Sequence, residues 1–161
     1  MAKDTMLTYL DEQIEKKLAD FDLAIDWDTR NHAIELIIRL YAENTNHLTI
    51  DDQEGVRSEE EVIEFEDAIL FYDDQKTSFD EADYLATIPF AGKKGLQQKV
   101  IDALVRYLPD ILINGQDDLL DFLVSEDAST FELHFSKETF QHIQAEISNP
   151  NNERYLPYPS Y

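Results

Sequence analysis

The chain has 161 residues, no cysteine, and 35 acidic against 13 basic side chains, a formal charge of −22. That charge repels nucleic-acid phosphates and anionic membrane surfaces, and the lack of cysteine excludes disulfides, thiolate metal sites and thiol nucleophiles. With 43% hydrophobic and 11% aromatic residues there is still enough apolar surface to offset chain entropy, so one folded domain is expected.

Residues 1–19 open with a polar stretch carrying Lys3 and Asp4, without the apolar core of a signal peptide. Met6, Leu10, Ile14 and Leu18 then recur every fourth residue, which predicts an amphipathic helix over 5–19, capped by Asp4 or Thr5. The period changes to two at Phe21, Leu23, Ile25 and Trp27, the mark of a half-buried strand. A short polar turn at Asp28-Thr29-Arg30-Asn31 leads to a second strand with Ile34, Leu36, Ile38 and Leu40 on one face. The pair reads as an antiparallel hairpin. Residues 44–61 form a polar connection with room for a short extended piece at Leu48-Thr49-Ile50.

Val62 to Tyr72 returns to strand character, with Ile63, Phe65, Ile69 and Phe71 in step. Asp67 falls in phase with them, so either a bulge turns it outward or it is buried and bonded, and the bulge is the preferred reading. A fourth strand spans 84–90, with Pro89 marking its end or an edge position. Leu96, Val100, Leu104 and Leu108 give a second helix stopped by Pro109, followed by a short helix at 117–124. Phe131, Leu133 and Phe135 suggest a fifth strand. Ser136 caps a last helix carrying Phe140, Ile143 and Ile147. The expected fold is α+β and two-layered, an antiparallel sheet of four to five strands with helices packed mainly on one face. A single domain spans 1–148, and 149–161 is an irregular tail.

No catalytic, cofactor or metal motif stands out. Aligning Gly55 with the turn glycine of a calcium loop places Asp52, Glu54 and Glu61 at ligand positions, but the first ligand position is then Ile50, which has no side-chain oxygen. The carboxylate runs Glu59-Glu60-Glu61 and Asp73-Asp74 read as solvated faces. His32, His47, His134 and His142 include no pair at the helical spacing of a zinc site. No cofactor is therefore expected.

Two surfaces are candidates for binding. The second face of the sheet would carry Ile37, Tyr41, Leu70 and Tyr72 beside Asp22, Asp26, Glu35, Glu64 and Glu66, an apolar patch rimmed by acid. Gly92-Lys93-Lys94-Gly95 ahead of a helix, with Lys99 and Arg106 following, is a candidate anion site through backbone amides and the helix dipole. Acid is concentrated away from that turn: residues 1–90 hold 24 acidic and 7 basic side chains, and residues 91–161 hold 11 and 6.

The stretches FDLAIDWDTRNHAIELIIRLYAEN (21–44), EEEVIEFEDAILFYD (59–73) and YLATIPFAGKKGL (84–96) resemble an uncharacterised family of small acidic cytoplasmic proteins from Firmicutes, a domain of unknown function. The resemblance implies no assigned activity and transfers no functional residue. Size, acidity and element order look like the secretion-chaperone type of fold, an analogy that does not establish function.

The expectation is a non-enzymatic, cytoplasmic binding module, chaperone- or adaptor-like, that captures a basic or amphipathic protein segment through Ile37, Tyr41, Glu64, Glu66, Leu70 and Tyr72. It would bind neither nucleic acid nor membrane. One alternative is an inhibitor that mimics nucleic acid toward a DNA-binding protein; another is an enzyme whose site the sequence hides.

Overall fold

The computed structural model describes residues 4–43, 50–51, 57–58, 62–124 and 132–159. Helix α1 (Met6–Lys17) is followed by strands β1 (Asp22–Asp28), β2 (Ala33–Glu43), β3 (Ile50–Asp51), β4 (Arg57–Ser58), β5 (Val62–Asp73), β6 (Ala86–Phe90) and β7 (Leu96–Gln97). Helices α2 (Gln98–Val124) and α3 (Lys137–Ile147) and a short strand β8 (Tyr155–Leu156) complete the order. The main sheet has the strand order β1-β2-β5-β6.

Local chemistry sets the first elements. Thr5 and Thr8 form a reciprocal capping box at the start of α1, each side chain taking the other's backbone N–H. β1 and β2 pair antiparallel with Leu23, Ile25 and Trp27 opposite Ile38, Leu36 and Ile34. One sheet face therefore collects the apolar residues. Ile34, Leu36, Ile38, Ile69 and Phe71 on that face have no exposed surface. They form one core with Met6, Leu10, Ile14 and Leu18 of the α1 region and with Leu104, Leu108 and Leu112 of α2. Helices cover this inner face, as the α+β layering requires.

The sheet is mixed rather than purely antiparallel: β5 and β6 run parallel, with Ile69 opposite Ala86 and Phe71 opposite Ile88. The expected antiparallel pairing fails after β5. The Asp73 carboxylate accepts the Gln75 N–H at 3.0 Å, and the Asp73 carbonyl accepts those of Lys76 and Thr77. These bonds close a turn at the end of β5. Residues 74–85 then cross the outer face, pinned where Asn31 and Ser78 exchange two hydrogen bonds, and β6 enters in the same direction as β5. Parallel neighbours need a crossover of about this length.

Three further expectations are corrected. There is no bulge at Asp67: the register from Ala33↔Tyr72 to Glu43↔Val62 is unbroken, and Asp67 lies opposite Ile38. Its carboxylate is half-buried and accepts the Ala68 N–H at 2.8 Å. Pro109 does not end a helix; α2 runs through it, and the separate helix at 117–124 is the second half of α2. A helix-interior proline costs about 3 kcal/mol, but Leu104 and Leu108 before it and Ile111 and Leu112 after it all bury in the same core. The expected fifth strand is not found among the described residues: 132–136 make no ladder, and Phe131 lies outside them. Leu133 instead drops into the space left by Gly115, where a Cβ would stand 2.3 Å from its methyl carbon.

Residues 149–159 are not an irregular tail. They form a clasp. β8 pairs with β7, and Leu156 and Tyr158 are buried. Tyr158 stacks on Phe90 at 5.1 Å and accepts a hydrogen bond from the Trp27 indole at 2.7 Å. The Pro157 carbonyl accepts the Met6 N–H at 2.9 Å, which joins the clasp to α1.

Candidate functional site

The outer face of the sheet divides in two. At one end the crossover 74–85 lies over it. Phe79 packs on Tyr72 with ring centroids 4.6 Å apart, and Tyr84 meets Phe79 edge-on. Tyr84 also donates to Glu35 at 2.8 Å. Burial, and then that hydrogen bond, push the Tyr84 phenol up to about 12. Leu70 is only 1% exposed there, and Ala33 is buried beside it. Among the described residues it is this crossover, with its short helical turn Glu81–Asp83, that covers this end of the face.

The other end is open. Strand alternation places Asp22, Ala24 and Asp26 of β1, Ile37, Arg39 and Tyr41 of β2, and Glu64, Glu66 and Ala68 of β5 on the same side. Tyr41 is 41% exposed and donates to Asp22 at 2.5 Å. That hydrogen bond chiefly, with burial, raises the Tyr41 phenol above its ordinary value. Arg39 stands at the centre, directly opposite Asp22 on one neighbouring strand and Glu66 on the other. Its Nε lies 3.1 Å from Glu66 and 3.6 Å from Glu64, and its Nη1 lies 3.9 Å from Asp22. The hydrogen bond to Glu66 holds the guanidinium above its ordinary value.

Of the six residues assigned to a partner-binding face, the structure thus brings Ile37, Tyr41, Glu64 and Glu66 together on open surface. Leu70 is sealed beneath the crossover and Tyr72 is half-buried against Phe79. The apolar centre is smaller than the alternation implied. Arg39 is the residue that sequence reasoning missed. A single basic residue between two acid-bearing strands was visible in the pattern, but its central position needed the register.

The candidate anion site is built differently from the expectation. Lys93 and Lys94 lie on a short helical turn, Gly92–Lys94, and Lys99 on the first turn of α2. The amides that would receive an anion are already engaged: Gln98 N–H donates to the Arg154 carbonyl at 2.9 Å and Lys99 N–H to the Asn152 carbonyl at 2.7 Å. Lys94 sits over the Tyr155 ring, 4.1 Å from its centroid. Gly95 has φ +80°, and a Cβ there would meet the Leu156 carbonyl oxygen at 1.9 Å. The glycines serve close packing of the clasp. A cleft of about 650 Å³ beside this turn is lined by Asp73, Phe90, Leu96 and Tyr155 among others.

Histidine and carboxylates meet in one further hollow, of about 470 Å³, where His134 faces Asp110, Asp117 and Asp118 of α2. All four are exposed, and the lining residues include no serine, threonine or lysine. Such an arrangement lacks the sheltered geometry that acid–base work requires. Among the described residues no group of three or more histidine, aspartate or glutamate side chains could hold a metal ion. Of the residues matched to a calcium loop, Asp52, Glu54 and Glu61 lie outside the described residues, as do the run Glu59-Glu60-Glu61 and His47. Among the described residues no helix is long and apolar enough to cross a membrane.

A crystal structure of a conserved protein of unknown function from Enterococcus faecalis is similar to this chain with a TM-score of 0.89 and 48% sequence identity. The match covers 99% of this chain and 98% of the other. No curated protein matches. The family model described as protein of unknown function (DUF3013) matches residues 1–160, so the chain belongs to that family.

Proposed function

We propose that the protein is a non-enzymatic, cytoplasmic binding module, adaptor- or chaperone-like, that holds a basic or amphipathic segment of another protein on the open half of its outer sheet face. The observation that carries this reading is the composition of that surface. Asp22, Asp26, Glu64 and Glu66 are all exposed around Ile37 and Tyr41, and Arg39 is the single basic residue in the four strands of the main sheet. Rigid strands fix the carboxylate spacing, the chain's charge of −22 steers cations toward it, and Tyr41 offers amphipathic contact area.

The test uses a fluorescein-labelled amphipathic peptide of alternating arginine and leucine. Binding should weaken as salt rises. Glu64→Lys with Glu66→Lys should mainly slow association, because the steering field is inverted, and Tyr41→Ala should mainly speed dissociation, because buried contact is lost. Duplex DNA should not bind at physiological salt. Unchanged binding by these variants, or amide shifts that map to Lys93, Lys94 and Lys99, would refute the reading. A second reading, mimicry of nucleic acid, gains support from the burial of Leu70, which leaves the open face dominated by carboxylates. It requires a DNA-binding protein as partner and competition between that protein's DNA and this chain.

A further inference from the structure

Arg39 is the only basic residue in the four strands of the main sheet, and three carboxylates from two neighbouring strands converge on it. They address different nitrogens of one guanidinium: Glu64 and Glu66 approach Nε and Asp22 approaches Nη1. A planar fork of five donors suits this arrangement; a lysine ammonium, a compact point charge, does not reproduce it. The group is held loosely. The Arg39 side chain is 33% exposed and its partners are 42–55% exposed, so solvent screens every pair. Asp22 also keeps the Tyr41 hydroxyl as a donor, so losing Arg39 would not strip it of its only partner.

We infer that Arg39 is a tethered occupant of the partner site: a partner's arginine takes its place among Asp22, Glu64 and Glu66, and Arg39 must swing out to admit it. The inference rests on the binding function proposed above and adds a selectivity and a threshold to it. A segment that brings only diffuse positive charge is drawn to the surface but does not displace Arg39. A segment that presents a guanidinium exchanges one fork for another, at little net loss of ion pairing.

The experiment measures the arginine–leucine peptide and its lysine–leucine counterpart against wild type, Arg39→Ala, Arg39→Gln and Arg30→Ala. Arg30 lies in the exposed turn between β1 and β2, so its removal makes the same change in net charge away from the carboxylates. Arg39→Ala and Arg39→Gln should each tighten the arginine peptide by on the order of tenfold. The lysine peptide should gain less, and Arg30→Ala should change either affinity by less than about twofold. Equal gains from Arg39→Ala and Arg30→Ala would show a net-charge effect only and overturn the inference while leaving the binding function standing. Weaker binding by both Arg39 variants, with unchanged thermal midpoints, would overturn it as well. Failure of wild type and every variant to bind either peptide would refute both proposals. Binding by the Arg39 variants alone would support a fully occupied site.

Discussion

Asp67 shows how one residue records a conflict between pattern and packing. Its position in phase with Phe65 and Ile69 sends its carboxylate toward the helical side of the sheet, where burial raises its pKa above the ordinary aspartate value. The folded chain then keeps its proton to higher pH than the unfolded chain does. Stability is therefore undiminished below the ordinary value, falls as pH climbs from there to the folded value, and stays reduced at neutrality. Asp67→Asn should raise the thermal midpoint at pH 7, because the amide oxygen still accepts the Ala68 N–H without a buried charge. The gain should vanish near pH 3, about one unit below the ordinary value; a pH-independent gain would show that ionisation is not the cost. In the sequence, the phase of Asp67 was legible. Its outcome was not, because a bulge and a bonded, half-buried carboxylate leave the same trace in a period-two pattern, and only the register separates them.

At the scale of elements, the apolar periods gave α1, β1, β2, β5 and α3, because each buries one stripe or one face and its ends carry capping chemistry, such as Ser136 accepting the Thr139 N–H at the start of α3. What escaped was everything decided by distant partners. Residues 149–159 show no period since their contacts come singly: the carbonyls of Asn152 and Arg154 reach α2, the Pro157 carbonyl reaches Met6, and the Tyr158 ring reaches Phe90 and Trp27. The same clasp supports a chain of hydrogen-bonded side chains that runs from half-buried Tyr9 out to exposed Arg154. Tyr9 donates to Asp102, Gln98 donates to the other Asp102 oxygen, and Arg154 donates to Gln98. Burial, and then the bond to Asp102, hold the Tyr9 phenol well above its usual range. Tyr158 is 5% exposed, so Tyr158→Ala should cost about 3 kcal/mol or more, since it opens a cavity and leaves the Trp27 N–H without its acceptor. Urea unfolding measures this directly, and a cost below about 1 kcal/mol would show that the clasp is not part of the cooperative core.

For the whole molecule, charge is the governing quantity. The described ion pairs gather few of the acids: Lys16 with Glu12, Lys137 with Glu81, and the Arg39 group. At −22 the compact state repels itself, and salt should relieve it. The thermal midpoint should rise between about 10 and 150 mM salt, as the screening length falls from about 30 Å to about 8 Å. A flat response would mean that the carboxylates stand too far apart to interact. The candidate face was legible in outline, since alternation puts acid and apolar residues on one side of three strands. Its true extent was not, because the same alternation cannot show that the crossover 74–85 would settle over Leu70.

The clasp also bears on how the chain reaches its fold during synthesis. Helix α2 begins at Gln98, yet the carbonyls that receive its first amides belong to Asn152 and Arg154, more than fifty positions later. Until those residues emerge, the start of α2 has only water for these donors, and the Phe90 and Trp27 rings lack the tyrosine that covers them. Closure between β7 and β8 spans sixty residues and brings in both α1 and α2, a long loop whose entropy must be paid late. A chain without residues 149–159 would therefore hold a nearly complete main sheet with an unlocked helix, and docking of that segment would turn it into a cooperative unit.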